Sequence, residues 1–92
     1  MFIINRSVLD LYDKYEGDFG LLDEPWASEE DRKKLTNEQM MLFSEYVEML
    51  HFIRMDTVSN ELKERALVRL DELERVVDPS VIKILRGRIL GE

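Results

Sequence analysis

Residues 36–55, TNEQMMLFSEYVEMLHFIRM, decide the fold class. Thr36 with Gln39 three residues on has the form of a capping box, in which each side chain takes the other's backbone N–H, so a helix opens here. Behind that start, Met40, Phe43, Val47 and Leu50 form one apolar stripe, and Leu42, Tyr46, Met49 and Ile53 form a second beside it. Spacings of three and four residues place each set on one helical face. Apolar cover over this much of the circumference marks a central helix touched on several sides. From Asn37 to Met55 it would run about 28 Å at ~1.5 Å per residue.

The same period recurs outward. Asp56–Asn60 is a turn rich in capping residues, and Ser59 caps a helix expected over Asn60–Val77. Leu62, Ala66, Leu70, Leu73 and Val77 make its apolar stripe, while Glu61–Arg65 and Asp71–Arg75 pair at i,i+4 on the opposite face. Asp78-Pro79 starts a last helix, aspartate as cap and proline at the first helical position, where its missing N–H costs nothing. Val81, Ile82, Leu85 and Ile89 drive that helix inward and Gly91 ends it.

Toward the N-terminus, Ser7 is read as the cap of a helix over Val8–Glu16, with Val8, Leu11, Tyr12 and Tyr15 on one face and Gly17 as the stop. Phe2, Ile3 and Ile4 form either a short strand or an extended arm against the bundle. Between Gly17 and Ala27 the helical period fails, because Gly20 and Pro25 punctuate it. Ser28 then caps a short helix ending near Leu35, with Glu29, Glu30 and Asp31 in its first turn and Lys33 and Lys34 at its end, both as the helix dipole favours. The expectation is an all-α fold in one domain over residues 1–92. It is a small antiparallel bundle of about four principal helices, plus one short helix after an irregular acidic elbow.

Composition narrows the function. The 92 residues carry a net charge of −7 and no cysteine, so there is no disulfide framework, thiolate nucleophile or cysteine metal site. An acidic chain lacks the lysine and arginine excess that neutralises phosphates, which argues against direct nucleic-acid binding and against anionic membrane surfaces. No apolar run approaches the roughly 20 residues that span a bilayer, and no basic leader precedes the N-terminal apolar residues. A soluble, cytoplasmic protein is the expectation.

The charge is unevenly placed. Residues 1–48 hold twelve acids against five bases, whereas residues 49–92 hold eight of each, so the whole excess belongs to the first half. It concentrates in EGDFGLLDEPWASEED, residues 16–31, seven acids around the only tryptophan. Two readings of Trp26 stand side by side. In one it joins Phe19, Leu21 and Leu22 in burying the irregular segment against the bundle. In the other it is an exposed anchor rimmed by charge, the arrangement of a binding hot spot.

Catalytic constellations are thin. His51 is the single histidine, and Ser7, Ser28, Ser59 and Ser80 sit at caps or turns, so no nucleophile–base–acid set emerges. Glu48 and His51 have the i,i+3 spacing of a di-iron bundle ligand pair, but those sites need two such units and two more glutamates. A non-enzyme without cofactor or metal is expected. Met40, Met41, Met49 and Met55 read chiefly as ordinary core; Met41, Phe52 and Met55 lie on the less occupied side of the central helix, near Glu45 and Glu48, and if any patch of this helix stays exposed it is that one.

The leading expectation is a small acidic module that docks on a basic surface of another protein, in an inhibitory, immunity-like or regulatory role. By architecture alone such a chain is similar to the immunity proteins that neutralise basic nuclease toxins. Asp18, Asp23, Glu24, Glu29, Glu30 and Asp31 would supply charge and Trp26 an anchor. The alternative is an assembly subunit that forms a homodimer or joins a larger complex through apolar helix faces.

Overall fold

A computed structural model describes residues 2–92. It contains α1 (Arg6–Lys14), a 3-10 turn (Phe19–Asp23), α2 (Glu29–Lys34), α3 (Asn37–Arg54), α4 (Asn60–Glu74) and α5 (Pro79–Leu90). α3 lies at the centre, packed on α4 along one side and on α5 along another, with α1 reaching α5. The fold is therefore the expected small all-α bundle. No helix among the described residues is long and apolar enough to cross a membrane.

Capping chemistry sets most boundaries. The Thr36 side chain accepts from the Gln39 amide at 3.1 Å and the Gln39 side chain accepts from the Thr36 amide at 3.0 Å, which closes the box. Gln39 also donates through Nε2 to the Ile3 carbonyl at 3.0 Å, tying the N-terminal arm to the start of the central helix. Ser28, Ser59 and Asp78 cap α2, α4 and α5, and Gly91 ends α5 in the left-handed conformation at φ 76°.

Three boundaries differ from the sequence expectation. α1 begins at Arg6 rather than Val8, because Asn5, not Ser7, is the cap: its side chain accepts from the Val8 amide at 3.3 Å. The shift follows from the arm. Ile4 donates to the Val76 carbonyl at 3.0 Å and its carbonyl accepts from Asp78 at 2.8 Å, a single parallel bridge with Val77 that fixes the chain just before Asn5. The same bridge ends α4 at Glu74 instead of Val77, since backbone groups of residues 76–78 turn to the arm. Finally, α1 stops at Lys14 with Glu16 left-handed at φ 56°. The Glu16 amide donates to Asp13 at 3.2 Å and the Gly17 amide to Tyr12 at 2.7 Å, the paired bonds of a Schellman ending. Gly17 follows that turn at φ 78°, and a Cβ there would meet the Tyr12 ring at 3.3 Å.

The core draws on every long element. Ile4, Val8, Leu9, Phe43, Tyr46, Leu50, Leu70, Leu73, Val77, Val81 and Leu85 are all buried. Tyr46 is wholly buried, and its hydroxyl donates to the Glu74 carboxylate at 2.7 Å, which also accepts from Arg86 at 2.7 Å. Burial, reinforced by that carboxylate, pushes the Tyr46 hydroxyl well above the ordinary tyrosine range. No described buried side-chain polar atom lacks a partner.

One member of the expected α4 stripe stays outside. Leu62 is 44% exposed: it sits in the first turn of α4, beside the loop that joins α3 to α4, one turn before Ala66 enters the core. Met41 and Met55 are exposed but Phe52 is half-buried, so that patch of the central helix is open only in part.

Candidate functional site: the acidic elbow at Trp26

The elbow is held from three directions. Phe19, first residue of the 3-10 turn, packs edge-on against Tyr12 at 5.5 Å and Phe43 at 5.6 Å between ring centroids, binding the turn to α1 and α3. Leu22, Ala27 and Leu35 are buried beneath the loop. Arg32 reaches back from α2, donating through Nε to the Leu22 carbonyl at 2.8 Å and through a terminal nitrogen to the Glu24 carbonyl. A guanidinium thus satisfies loop carbonyls that no helix or strand would bond.

Asp31 provides the third tie. It is only 4% exposed. One of its carboxylate oxygens accepts from Lys14 Nζ at 2.6 Å and from the Tyr15 hydroxyl at 2.6 Å, while Lys34 stands 3.6 Å from the other. Its own amide donates to the Ser28 side chain at 3.1 Å. Lys14 first, then the Tyr15 hydroxyl, hold the carboxyl far below the ordinary carboxylate range, against the opposing push of burial. The same bond raises the Tyr15 hydroxyl and the Lys14 ammonium. Asp31 is thus a buried tie between α1 and α2. The sequence expectation placed it among the partner-facing acids; the structure turns it inward, because Tyr15 and Lys14 from α1 meet the first turn of α2 there.

Asp18, Asp23, Glu24, Glu29 and Glu30 lie on the surface. One carboxylate oxygen of Asp18 accepts from the Gly20 amide at 2.8 Å, capping the 3-10 turn. Among the described residues no lysine or arginine forms an ion pair with any of these five. Five of the chain's arginines pair with acids elsewhere: Arg88 on Asp13 at 2.8 Å, Arg69 on Glu45 at 2.8 Å, Arg86 on Glu74 at 2.7 Å, Arg6 on Asp10 at 3.3 Å and Arg75 on Asp71 at 3.4 Å. Arg88 holds Asp13, and Arg69 holds Glu45, below the usual range.

Trp26 is 64% exposed, so it does not bury the elbow. Phe19 and Leu22 do that work, with Leu21 half-buried beside them, and the packing reading of Trp26 is overturned. The indole instead stacks on Tyr15, ring centroids 5.7 Å apart and planes 29° from parallel. Tyr15 is 2% exposed and anchored by Asp31, so one face of the exposed indole rests on a buried ring that is itself tied down. The sequence offered a partial signal for this: Trp26 sits between Pro25 and the Ser28 cap, where the chain turns outward.

Glu48 and His51 are exposed on α3, and no group of three or more His, Asp or Glu side chains that could hold a metal ion occurs among the described residues. A shallow groove of about 650 Å³ lies where the N-terminal arm and α3 meet α4, lined by Ile3, Leu42, Val68, Leu73 and Val76 with charged residues of α4 beside them. Comparison of the chain with protein-family models, with curated proteins and with solved structures found no match.

Proposed function

We propose that the chain is a small, non-enzymatic binding module whose acidic elbow docks on a basic surface of another protein, in an inhibitory, immunity-like or regulatory role. The observation that carries the reading is the division of labour among the elbow's acids. Asp31 turns inward and ties the segment to α1, while Asp18, Asp23, Glu24, Glu29 and Glu30 face solvent without cationic partners among the described residues. Residues 16–34 hold seven acids against three bases, a net −4 in nineteen residues. Carboxylates on a segment fixed by Phe19, Leu22 and Arg32 are presented with little ordering left to do, which lowers the entropic cost of association. Complementary charge of this kind speeds encounter and selects partners more than it adds affinity.

The test is capture of a partner from the native host by the parent chain and by the quadruple variant Asp23→Asn, Glu24→Gln, Glu29→Gln, Glu30→Gln. The parent should retain a basic protein at low salt and release it as salt rises; the variant should not retain it. A partner held equally by both, with no salt dependence, would sink the electrostatic reading.

A second reading rests on a different observation. Met41 on α3, Met55 at its C-cap and Leu62, Leu67 and Val68 on α4 leave apolar surface exposed, and residues 49–92, which hold all but Met41 of these, carry no net charge. Such a face suits assembly with a second copy or a larger complex, the acidity then serving solubility. Sedimentation separates the two: a chain that stays monomeric at high concentration removes the homodimer.

A further inference from the structure

We infer that the side chain received by the elbow is an arginine of the partner, laid flat on the free face of Trp26 with its N–H groups directed to carboxylates at the ring's edge. The inference rests on the docking reading above and specifies its chemistry. Tyr15 covers one face of the indole, stacked at 5.7 Å, and is itself buried with its hydroxyl on Asp31, so the plane of Trp26 is supported from below. With 64% of the residue exposed, much of the indole outside the Tyr15 stack lies in water.

An exposed indole attracts either apolar groups or cations, and its surroundings decide between them. Glu24 precedes it by two residues, and Glu29 and Glu30 follow it on the first turn of α2, all exposed and without ion pairs among the described residues. An apolar occupant would strip water from those carboxylates and return no hydrogen bond. A cation is attracted by both the ring face and the acids. The chain's own nearby cations do not pair with these acids: Lys33 of α2 is exposed and forms no ion pair among the described residues, and the other three are committed elsewhere. Lys14 sits 5.7 Å from the centre of the Tyr15 ring and is bonded to Asp31, Lys34 is also on Asp31, and Arg32 is committed to loop carbonyls.

Between the two cationic residues the geometry favours arginine. A guanidinium is planar and weakly hydrated, so it can stack on the ring while its in-plane donors reach carboxylates beyond the edge. An ammonium is a compact, strongly hydrated point charge that cannot do both.

Trp26 is the chain's only tryptophan, so its emission reports the site directly. The probes are two peptides of equal length and charge, one alternating glycine with arginine and the other glycine with lysine. Each is titrated at low salt into the parent chain by fluorescence, and into Trp26→Leu by calorimetry. The arginine peptide should bind the parent about two- to five-fold more tightly, the worth of one exposed cation–ring contact. In Trp26→Leu that preference should vanish while salt-sensitive binding of both peptides remains. Equal affinities for the parent, or a preference that survives Trp26→Leu, would overturn the arginine assignment and leave the acidic docking surface standing. Binding of neither peptide to the parent would overturn both.

Discussion

Replacing Trp26 by alanine is the sharpest test of the elbow's architecture, because the two readings of that residue differ in cost. A buried tryptophan truncated to alanine loses about 3–5 kcal/mol. Here 64% of the residue is already in water, so only about a third of it is withdrawn. For a side chain of roughly 250 Å² that is about 90 Å², worth at most ~2 kcal/mol at ~25 cal/mol per Å². The Tyr15 stack falls largely within that figure, and the expected loss is about 1–2 kcal/mol. With an unfolding entropy near 2.1 cal/mol/K per residue, about 0.19 kcal/mol/K for this chain, the melting temperature should fall by roughly 5–10 °C. Phe43→Ala is the internal control: Phe43 is wholly buried, and its loss of about 3–5 kcal/mol should lower the melt by roughly 15–25 °C or prevent folding. Thermal unfolding followed by far-UV circular dichroism reads both variants. If Trp26→Ala falls as far as Phe43→Ala, the indole is buried in solution and the exposed anchor is wrong.

Two further outcomes follow from the ties described above. Asn5→Ala should cost about 1 kcal/mol in chemical denaturation by removing the α1 cap, whereas Ser7→Ala, on the exposed side of the first turn, should stay within about 0.5 kcal/mol. Equal losses would return the cap to Ser7. The acid-side pH dependence comes from the depressed carboxyls of Asp31, Asp13, Glu45, Glu74 and Asp78. A folded-state pKa below the unfolded one contributes stability that is fully present above the unfolded value, about 3.9 for aspartate, and is lost as pH falls through the folded value. The difference in stability between parent and Asp31→Asn should therefore be constant from neutral pH to about pH 5. It should shrink progressively below about pH 4, read from denaturation midpoints along the pH series. A difference that does not change between pH 6 and pH 2 would show that Asp31 is not held ionised by the fold.

What could be read from the chain depended on whether the deciding interaction was local. The Thr36–Gln39 box, the Ser28 and Ser59 caps and the Asp78-Pro79 start each involve groups within three residues of one another, and each stands where its residues place it. The errors in α1 and α4 share one non-local cause. Ile4 bonds across to Val76 and Asp78, more than seventy residues away, and that bridge makes Asn5 the cap and unwinds the end of α4. Nothing in the local pattern around Ser7 or Val77 carries that information. Trp26 is a similar case. Its hydrophobicity argued for burial, but Phe19 and Leu22 already fill the space against Tyr12, Phe43 and the bundle, and the indole stacks instead on the face of Tyr15.

Asp31 shows why acids counted along a chain differ from acids presented to a partner. In sequence it is one of three consecutive carboxylates; in the fold it is the one whose charge is consumed. Lys14 and Tyr15 bond it directly and Lys34 approaches it, so its field is largely cancelled within a few ångströms. Glu29 and Glu30, two and one positions earlier, have no such partners among the described residues and project their charge into solvent. That cancellation also joins the two halves of the site: the hydroxyl that binds Asp31 belongs to the ring on which Trp26 rests. Breaking the Asp31 tie should therefore loosen the indole's support even though the two side chains are not bonded to each other. An intact carboxylate at position 31 is then a condition for the geometry of the surface rather than part of its charge.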